Sequence, residues 1–312
     1  MENNKAEQIS LAQSEEKKTS QLLILLAFAA VYIIWGSTYL GIKFAIETFP
    51  PFLMAGIRFV VAGVLLYALG RFRGAERPAI RYWKSSAYLG LLLLVLGNGG
   101  LVWAEQRVPS GIAALLITVE PIWVVLLQWV RKDGSKPNSV IWISFAMAFA
   151  GMMMLVGPGN LGGISQVDPL GFVVIMISTL GWAAGSLMAA NAETPKSPMI
   201  TTGMQMISGG ALLMLVATFA GEWQSFNIEA ISDKSLWAFL YLIVFGSIIG
   251  YSAYTYLTRV VTPTKVSTYA YVNPIVAVFL GAYIGGEEIT LQTILAAGFL
   301  IVAVALIILK NK

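Results

Sequence analysis

Glu120 is the only charged residue between Ser110 and Val130, a run otherwise almost wholly apolar, and it stands directly before Pro121. At about 1.5 Å per helical residue the run can cross a hydrocarbon layer about 30 Å thick, which sets the carboxyl near the midplane, roughly 15 Å from either face. A carboxyl at that depth costs about 2.5 to 3.5 kcal/mol on insertion scales, so it must face a cavity or a partner rather than lipid. There it can exchange a proton between two states of access, bind the positive end of a substrate, or, kept protonated, hydrogen-bond a neighbouring helix. Leu116, Ile117 and Trp123 share its helical face, which predicts an apolar pocket with Trp123 as an aromatic wall. A second polar-proline pair, Asn273-Pro274, has Tyr269 one turn earlier; both can present hydrogen-bonding groups to a ligand, or the asparagine can hold two helices together. Each proline removes a backbone donor and frees a carbonyl one turn back, which is tolerated where a neighbouring helix or water satisfies it.

Trp35 and Tyr39 share a face of the first apolar run and can serve as substrate wall or as packing. Gly97-Asn98-Gly99-Gly100 weakens the third run, offering a hinge, exposed carbonyls and the Asn98 side chain. Lys43, Glu47, Glu105 and Arg107 fall at one level near one membrane face, and Arg58 lies about six residues into the second run. Lys43, Arg58 and Glu105 invite an ion-pair cluster that closes a mouth of the bundle, with Glu105 as the expected partner of Arg58, whereas for Lys43 and Arg107 snorkelling to the headgroups is the favoured reading. The pairs Gly181/Gly185, Gly246/Gly250 and Gly281/Gly285 fit close helix approach. With no His and no Cys, the chain offers no thiolate or imidazole metal ligand, and any proton coupling must use Glu or Asp. No phosphate-binding glycine loop, zinc-protease motif or nucleophile elbow is present, so neither a cofactor, nor direct use of ATP, nor an enzymatic role is expected.

The elements that must carry these residues are membrane helices. The chain is 57% hydrophobic and only 12% charged, far from a soluble composition. Ten spans are predicted, at 22–42, 52–70, 85–104, 110–130, 139–157, 169–190, 199–220, 236–257, 265–284 and 290–309. Residues 1–21 read as a disordered, mixed-charge tail. Ala27-Phe28-Ala29 after Lys17-Lys18 resembles a leader cleavage site, but the apolar run continues to Ile42, which favours a retained helix. Sixteen of the twenty Lys and Arg, from Lys5 to Lys312, fall on the side that holds both ends of the chain; only Lys43, Arg107 and Lys234 fall on the other. That imbalance predicts cytoplasmic termini and an even number of spans. A net charge of +4 distributed in this way points to the lipid bilayer, not to nucleic acid.

The halves match at an offset of about 150 residues, the signature of an internal repeat. Trp35-Gly36-Ser37 pairs with Trp182 through Ser186, Arg107-Val108-Pro109 with Arg259 through Pro263, Glu120-Pro121 with Asn273-Pro274, and Ala150-Gly151 with Ala297-Gly298. Five spans per half is an odd number, so the second half enters from the opposite side. The expected fold is thus an all-α integral membrane protein of ten helices in two inverted five-helix repeats, 22–157 and 169–309, with spans 4 and 9 meeting at the centre.

Further motifs add a family likeness: Lys43 eight residues after Trp35, Arg58-Phe59 early in span 2, Glu105 through Gly111 leading into span 4, Tyr271 through Val278 in span 9, and Gly286-Glu287-Glu288 before span 10. Together they resemble the EamA family of the drug/metabolite transporter superfamily. The resemblance implies an inner-membrane carrier of small metabolites, usually an exporter, with a cavity formed by both repeats. It implies no single substrate, because related members move amino acids, their derivatives, nucleosides and toxic compounds. Glu120 departs from the pattern, since a small or uncharged polar residue is expected before that proline in many relatives. The expected function is alternating-access export of a small-molecule substrate, such as an amino acid or related amphipathic compound, with proton coupling an option at Glu120. A channel or a non-transporting scaffold is the alternative, and a monomer and a homodimer both remain open.

Overall fold

A computed structural model describes residues 21–130, 136–156, 167–261, 263–266 and 268–310. The N-terminal tail, Arg131, Lys132 and Lys312 lie outside these residues. Among them run ten apolar helices: α1 (Gln21–Ala45), α2 (Pro51–Phe72), α3 (Ile80–Ala104), α4 (Ser110–Trp129), α5 (Ser139–Val156), α6 (Pro169–Ala189), α7 (Pro198–Phe219), α8 (Asp233–Val260), α9 (Tyr269–Tyr283) and α10 (Leu291–Lys310). Seven are long and apolar enough to cross a membrane, and α5, α9 and α10 hold shorter apolar stretches. Helices are the form such sequences must take in lipid, where no water satisfies an open backbone. Large side chains such as Leu65, Phe149 and Leu215 stand exposed on the outside of the bundle, facing the hydrocarbon.

Local chemistry sets the ends. Proline opens α2, α6 and α7, where its missing donor costs nothing, and Asp168 accepts from the amides of Leu170 and Gly171 at the start of α6. Glu222 reaches across from the α7–α8 connection to accept from Phe52 N at 3.2 Å and Leu53 N at 2.7 Å, satisfying the first turn of α2. The helix of span 4 differs from the continuous one expected: it breaks at Thr118–Val119, between Ser110–Ile117 and Glu120–Trp129. Pro121 is the reason, since its ring cannot accommodate the carbonyl of Ile117 in a regular turn. Wide π-helical turns occupy Ala30–Trp35 of α1, Gly90–Gly99 of α3 and Leu242–Tyr251 of α8. The last two are equivalent under the repeat.

Packing makes the repeat visible. Helix α2 lies on α7, α4 on α9 and α5 on α10, each against its own counterpart, while α1 lies on α8 and α3 on α6. Exchanging the halves turns the α1–α8 contact into the α6–α3 contact and leaves the other three pairs unchanged. A two-fold relation between the halves does this, and with five helices in each half the second enters from the opposite side, so the axis lies in the membrane plane and the repeats are inverted. The α2–α7 contact is the most extensive. Gly56, Gly63 and Gly70 on α2 face α7, and a Cβ on Gly63 would stand 2.9 Å from the carbonyl oxygen of Gly203 and 2.8 Å from the amide nitrogen of Ile207. Of the glycine pairs singled out from sequence, Gly181 and Gly185 let α6 close on Leu92, Leu93 and Leu96 of α3, whereas Gly246 and Gly250 make room for the side chains of Arg58 and Trp35, and Gly281 for the carboxylate of Glu287.

Candidate functional site

A cavity lies at the centre of the bundle, between the halves, walled by α1, α2, α3, α4, α6, α8 and α9. About 70 Å³ of it is open to water-sized molecules, room for a handful of waters at roughly 10–15 Å³ each. Glu120 begins the second segment of α4, 3% exposed, and its carboxylate accepts from the Tyr269 hydroxyl of α9 at 3.4 Å. The break in α4 thus sets the carboxyl at the cavity wall, opposite the other half. Asn273, with its amide oriented to satisfy both partners, donates to the carbonyls of Tyr32 at 3.0 Å and Tyr269 at 3.2 Å, so it ties α9 to the wide turn of α1 while lining the cavity.

Trp35 is the hub of an aromatic cluster. Its ring centre lies 5.0 Å from Tyr254, 5.5 Å from Trp182, 5.6 Å from Tyr269 and 6.5 Å from Tyr251. The Trp35–Trp182 contact is edge-to-face and joins the two residues that the repeat makes equivalent, so the axis passes between them. Trp35 Nε1 donates to the carbonyl of Gly246 at 3.3 Å, and the Ser186 and Tyr254 hydroxyls lie 2.8 Å apart. A pocket with aromatic faces and one carboxylate suits an organic cation or the ammonium end of a zwitterion.

Of the seven residues expected to contact substrate, Glu120, Asn273, Tyr269, Trp35, Tyr39 and Asn98 line this cavity. Trp123 does not: its Nε1 donates to Thr179 Oγ1 at 2.9 Å, which binds α4 to α6 behind the wall. Sequence reasoning passed over Trp182, Tyr251, Thr179 and Phe59, which do line it. Trp182 carried a usable signal, as the repeat partner of a residue already chosen.

The end of the bundle away from the chain termini is tied shut. Lys43 Nζ lies 2.9 Å from Glu287 Oε1 and donates to the carbonyl of Gly285 at 3.2 Å. Glu287 also accepts from Ser110 N at 2.7 Å, Ser110 Oγ at 2.7 Å and Gly111 N at 2.9 Å, the open amides at the start of α4. Gly286, at φ +64°, makes the reversal that aims this carboxylate back at α4. Burial raises the Glu287 pKa, but Lys43 and the donors of Gly111 and Ser110 outweigh it and hold the carboxyl below its ordinary value of 4.5. Two expectations for this mouth need correction. Lys43 pairs with Glu287 instead of reaching for the headgroups, and Arg58 pairs with Ser247, not with Glu105: it points into the central cavity, and its Nε donates to Ser247 Oγ at 2.7 Å. Glu105, 6% exposed, lines a separate vestibule beside Lys43 and Glu287, and neither of its carboxylate oxygens has a hydrogen-bond partner.

An inverted-repeat membrane transporter is the class that this fold and its midplane cavity define. The chain belongs to the EamA-like transporter family, which it matches over residues 21–157 and 169–309. It is a multi-pass inner-membrane transporter, not an enzyme. It is 42% identical over 294 residues to the uncharacterized inner membrane transporter YedA of Escherichia coli K12, covering 93% of this chain and 92% of that one. It is 26% identical to the uncharacterized transporter sll0355 of Synechocystis, covering 95% of this chain and 92% of that one. A solved structure described only as the crystal structure of a protein superposes with a TM-score of 0.63 over 91% of this chain and 95% of that one, at 17% identity, a likeness of fold.

Proposed function

We propose that the chain is a secondary-active exporter of small amphipathic metabolites, amino acids or related compounds, working by alternating access with proton exchange at Glu120. The observation that carries this reading is a midplane carboxylate in an aromatic cavity shared by both halves, its hydroxyl partner coming from the opposite repeat. The bodies that rock are the repeats 22–157 and 169–309. The Lys and Arg imbalance supports cytoplasmic termini, which makes the Lys43–Glu287 end the outer one. Reconstitution in proteoliposomes tests the carrier. Solutes that protect overexpressing cells are to show saturable uptake and counterflow; linear, non-exchanging flux would mean a channel, and no flux of any solute a scaffold.

In this reading Glu287 is the latch of the outer gate, because one carboxylate joins α1, α4 and the α9–α10 turn. Glu287→Gln removes the charge from four donors, each charge-assisted bond being worth about 1.5–3 kcal/mol when intact. The native chain has no Cys, so a single reporter can be introduced without background. Val278→Cys in the vestibule is expected to react with a membrane-impermeant maleimide several-fold faster in the Glu287→Gln background. The unlatched state lacks these donors, so the lowered pKa stabilises the latch above the ordinary value of 4.5, and that contribution is lost as pH falls through the lowered value. Reporter labelling that is equal in both backgrounds would remove the latch from the mechanism.

A further inference from the structure

Arg58 is a guanidinium deep in the bundle, 3% exposed, and three features fix it in place. Its Nε is held by Ser247 Oγ at 2.7 Å, its Cζ lies 4.8 Å from the ring centre of Phe59, and Nη2 passes over Gly246, where a Cβ would come within 2.8 Å. Nη1 is left. It is buried and has no hydrogen-bond partner, and the side chain borders the same cavity as Glu120. Among the described residues Arg58 makes no ion pair. A guanidinium is a permanent cation with donors in a rigid fork, and one buried with an open donor is a site waiting for an anion.

We infer that Arg58 is the anion-binding arm of the substrate site: Nη1 donates to a carboxylate of the transported molecule while Glu120 and the aromatic cluster take its ammonium end. This rests on the carrier reading and narrows it to compact zwitterions. Ser247, Gly246 and Phe59 preorganise the arm, so binding orders little that is not already ordered. The charge opposition explains why a membrane protein keeps a buried arginine and a buried glutamate around one cavity with no bond between them, although the carboxylate whose charge reaches Arg58 is that of Glu105. A competing role is pairing with Glu105, whose open carboxylate oxygens lie in the neighbouring vestibule.

Matched triplets separate the two. Purified full-length protein is titrated with L-amino acids of apolar, aromatic and polar side chains, each beside its carboxamide and the amine lacking the carboxylate. Intrinsic tryptophan fluorescence gives Kd, and proteoliposome counterflow follows the solutes that bind. At least one amino acid is expected to bind tenfold or more tightly than its amide and amine. Arg58→Gln should erase that preference by weakening the zwitterion alone, Arg58→Lys should keep part of it, and Glu105→Gln should leave it intact. Equal binding of all three members, equal weakening of all three by Arg58→Gln, loss of the preference in Glu105→Gln, or binding of none of the panel would each overturn the inference. If Arg58→Gln does not fold, the wild-type preference and the Arg58→Lys value decide. Flux of some solute without a carboxylate would leave the carrier standing while the inference falls; absence of all flux removes the carrier itself.

Discussion

Glu120→Gln should yield a folded, inserted protein whose accumulation of substrate against a gradient is reduced about ten- to hundredfold. Glutamine has nearly the shape of glutamate and can keep the Tyr269 contact of 3.4 Å, so the packing around α4 is conserved. What is lost is the ability to take up and release a proton and to offer a negative charge to an ammonium group. A hydrogen bond to a charged group is worth about 1.5–3 kcal/mol, which corresponds to that factor in binding. Stability should hold or rise, because replacing a buried ionisable group whose bonds are few removes a desolvation cost. The measurement is uptake in proteoliposomes with and without an imposed pH gradient, beside thermal unfolding in detergent. A variant that keeps wild-type flux with unchanged pH dependence would sink the role of Glu120 in coupling.

Gly203→Leu is expected to destroy the fold, and Gly203→Ala to lower its stability, because no side chain fits where α7 meets α2. A Cβ on Gly203 would lie 2.8 Å from the amide nitrogen of Tyr67 and 2.9 Å from the Gly63 oxygen; the corresponding atom on Gly210 would meet Val60 N and Gly56 O at 2.8 and 2.9 Å. These neighbours are backbone, so relief requires moving a helix rather than turning a rotamer. Overpacking by one methyl costs about 1–3 kcal/mol, set against about 1 kcal/mol that alanine gains over glycine within a helix. Gly298→Ala is the matched control, since nothing stands within 4 Å of its added Cβ. The expected order of melting temperature in detergent is Gly298→Ala at or above wild type, Gly203→Ala below it, and Gly203→Leu without a folded peak in gel filtration. A wild-type melting temperature for Gly203→Ala would mean that the helices have room to spare.

Several features of the site were legible in one dimension. The depth of Glu120 and Asn273 follows from counting residues to the ends of an apolar run, and the match of Trp35 with Trp182 follows from order alone. Other features were not. Arg58 was given Glu105 because both belong near the same level, yet level says nothing of direction around a helix; Gly246 opens a path for the guanidinium toward the cavity and Ser247 receives it. Trp123 shares a helical face with Glu120, but Thr179 on the adjacent α6 captures its indole and keeps it behind the wall. The glycines at which α2 and α7 approach backbone to backbone, Gly56, Gly63, Gly203 and Gly210, recur every seven residues, not every four, and Gly90 and Gly209 bring α3 and α7 together in the same way.

The sequence by itself determined that this chain crosses the membrane repeatedly, that its halves are related by inversion, and that a carboxyl lies at mid-depth. Each of these depends on hydropathy and order along the chain, because the bilayer excludes charge and open backbone whatever the neighbours are. The tertiary structure alone decided which side chains see the cavity, which face lipid, and which carboxylate receives Lys43. Those outcomes depend on the rotation of every helix about its own axis, and rotation is fixed by which surface packs against it.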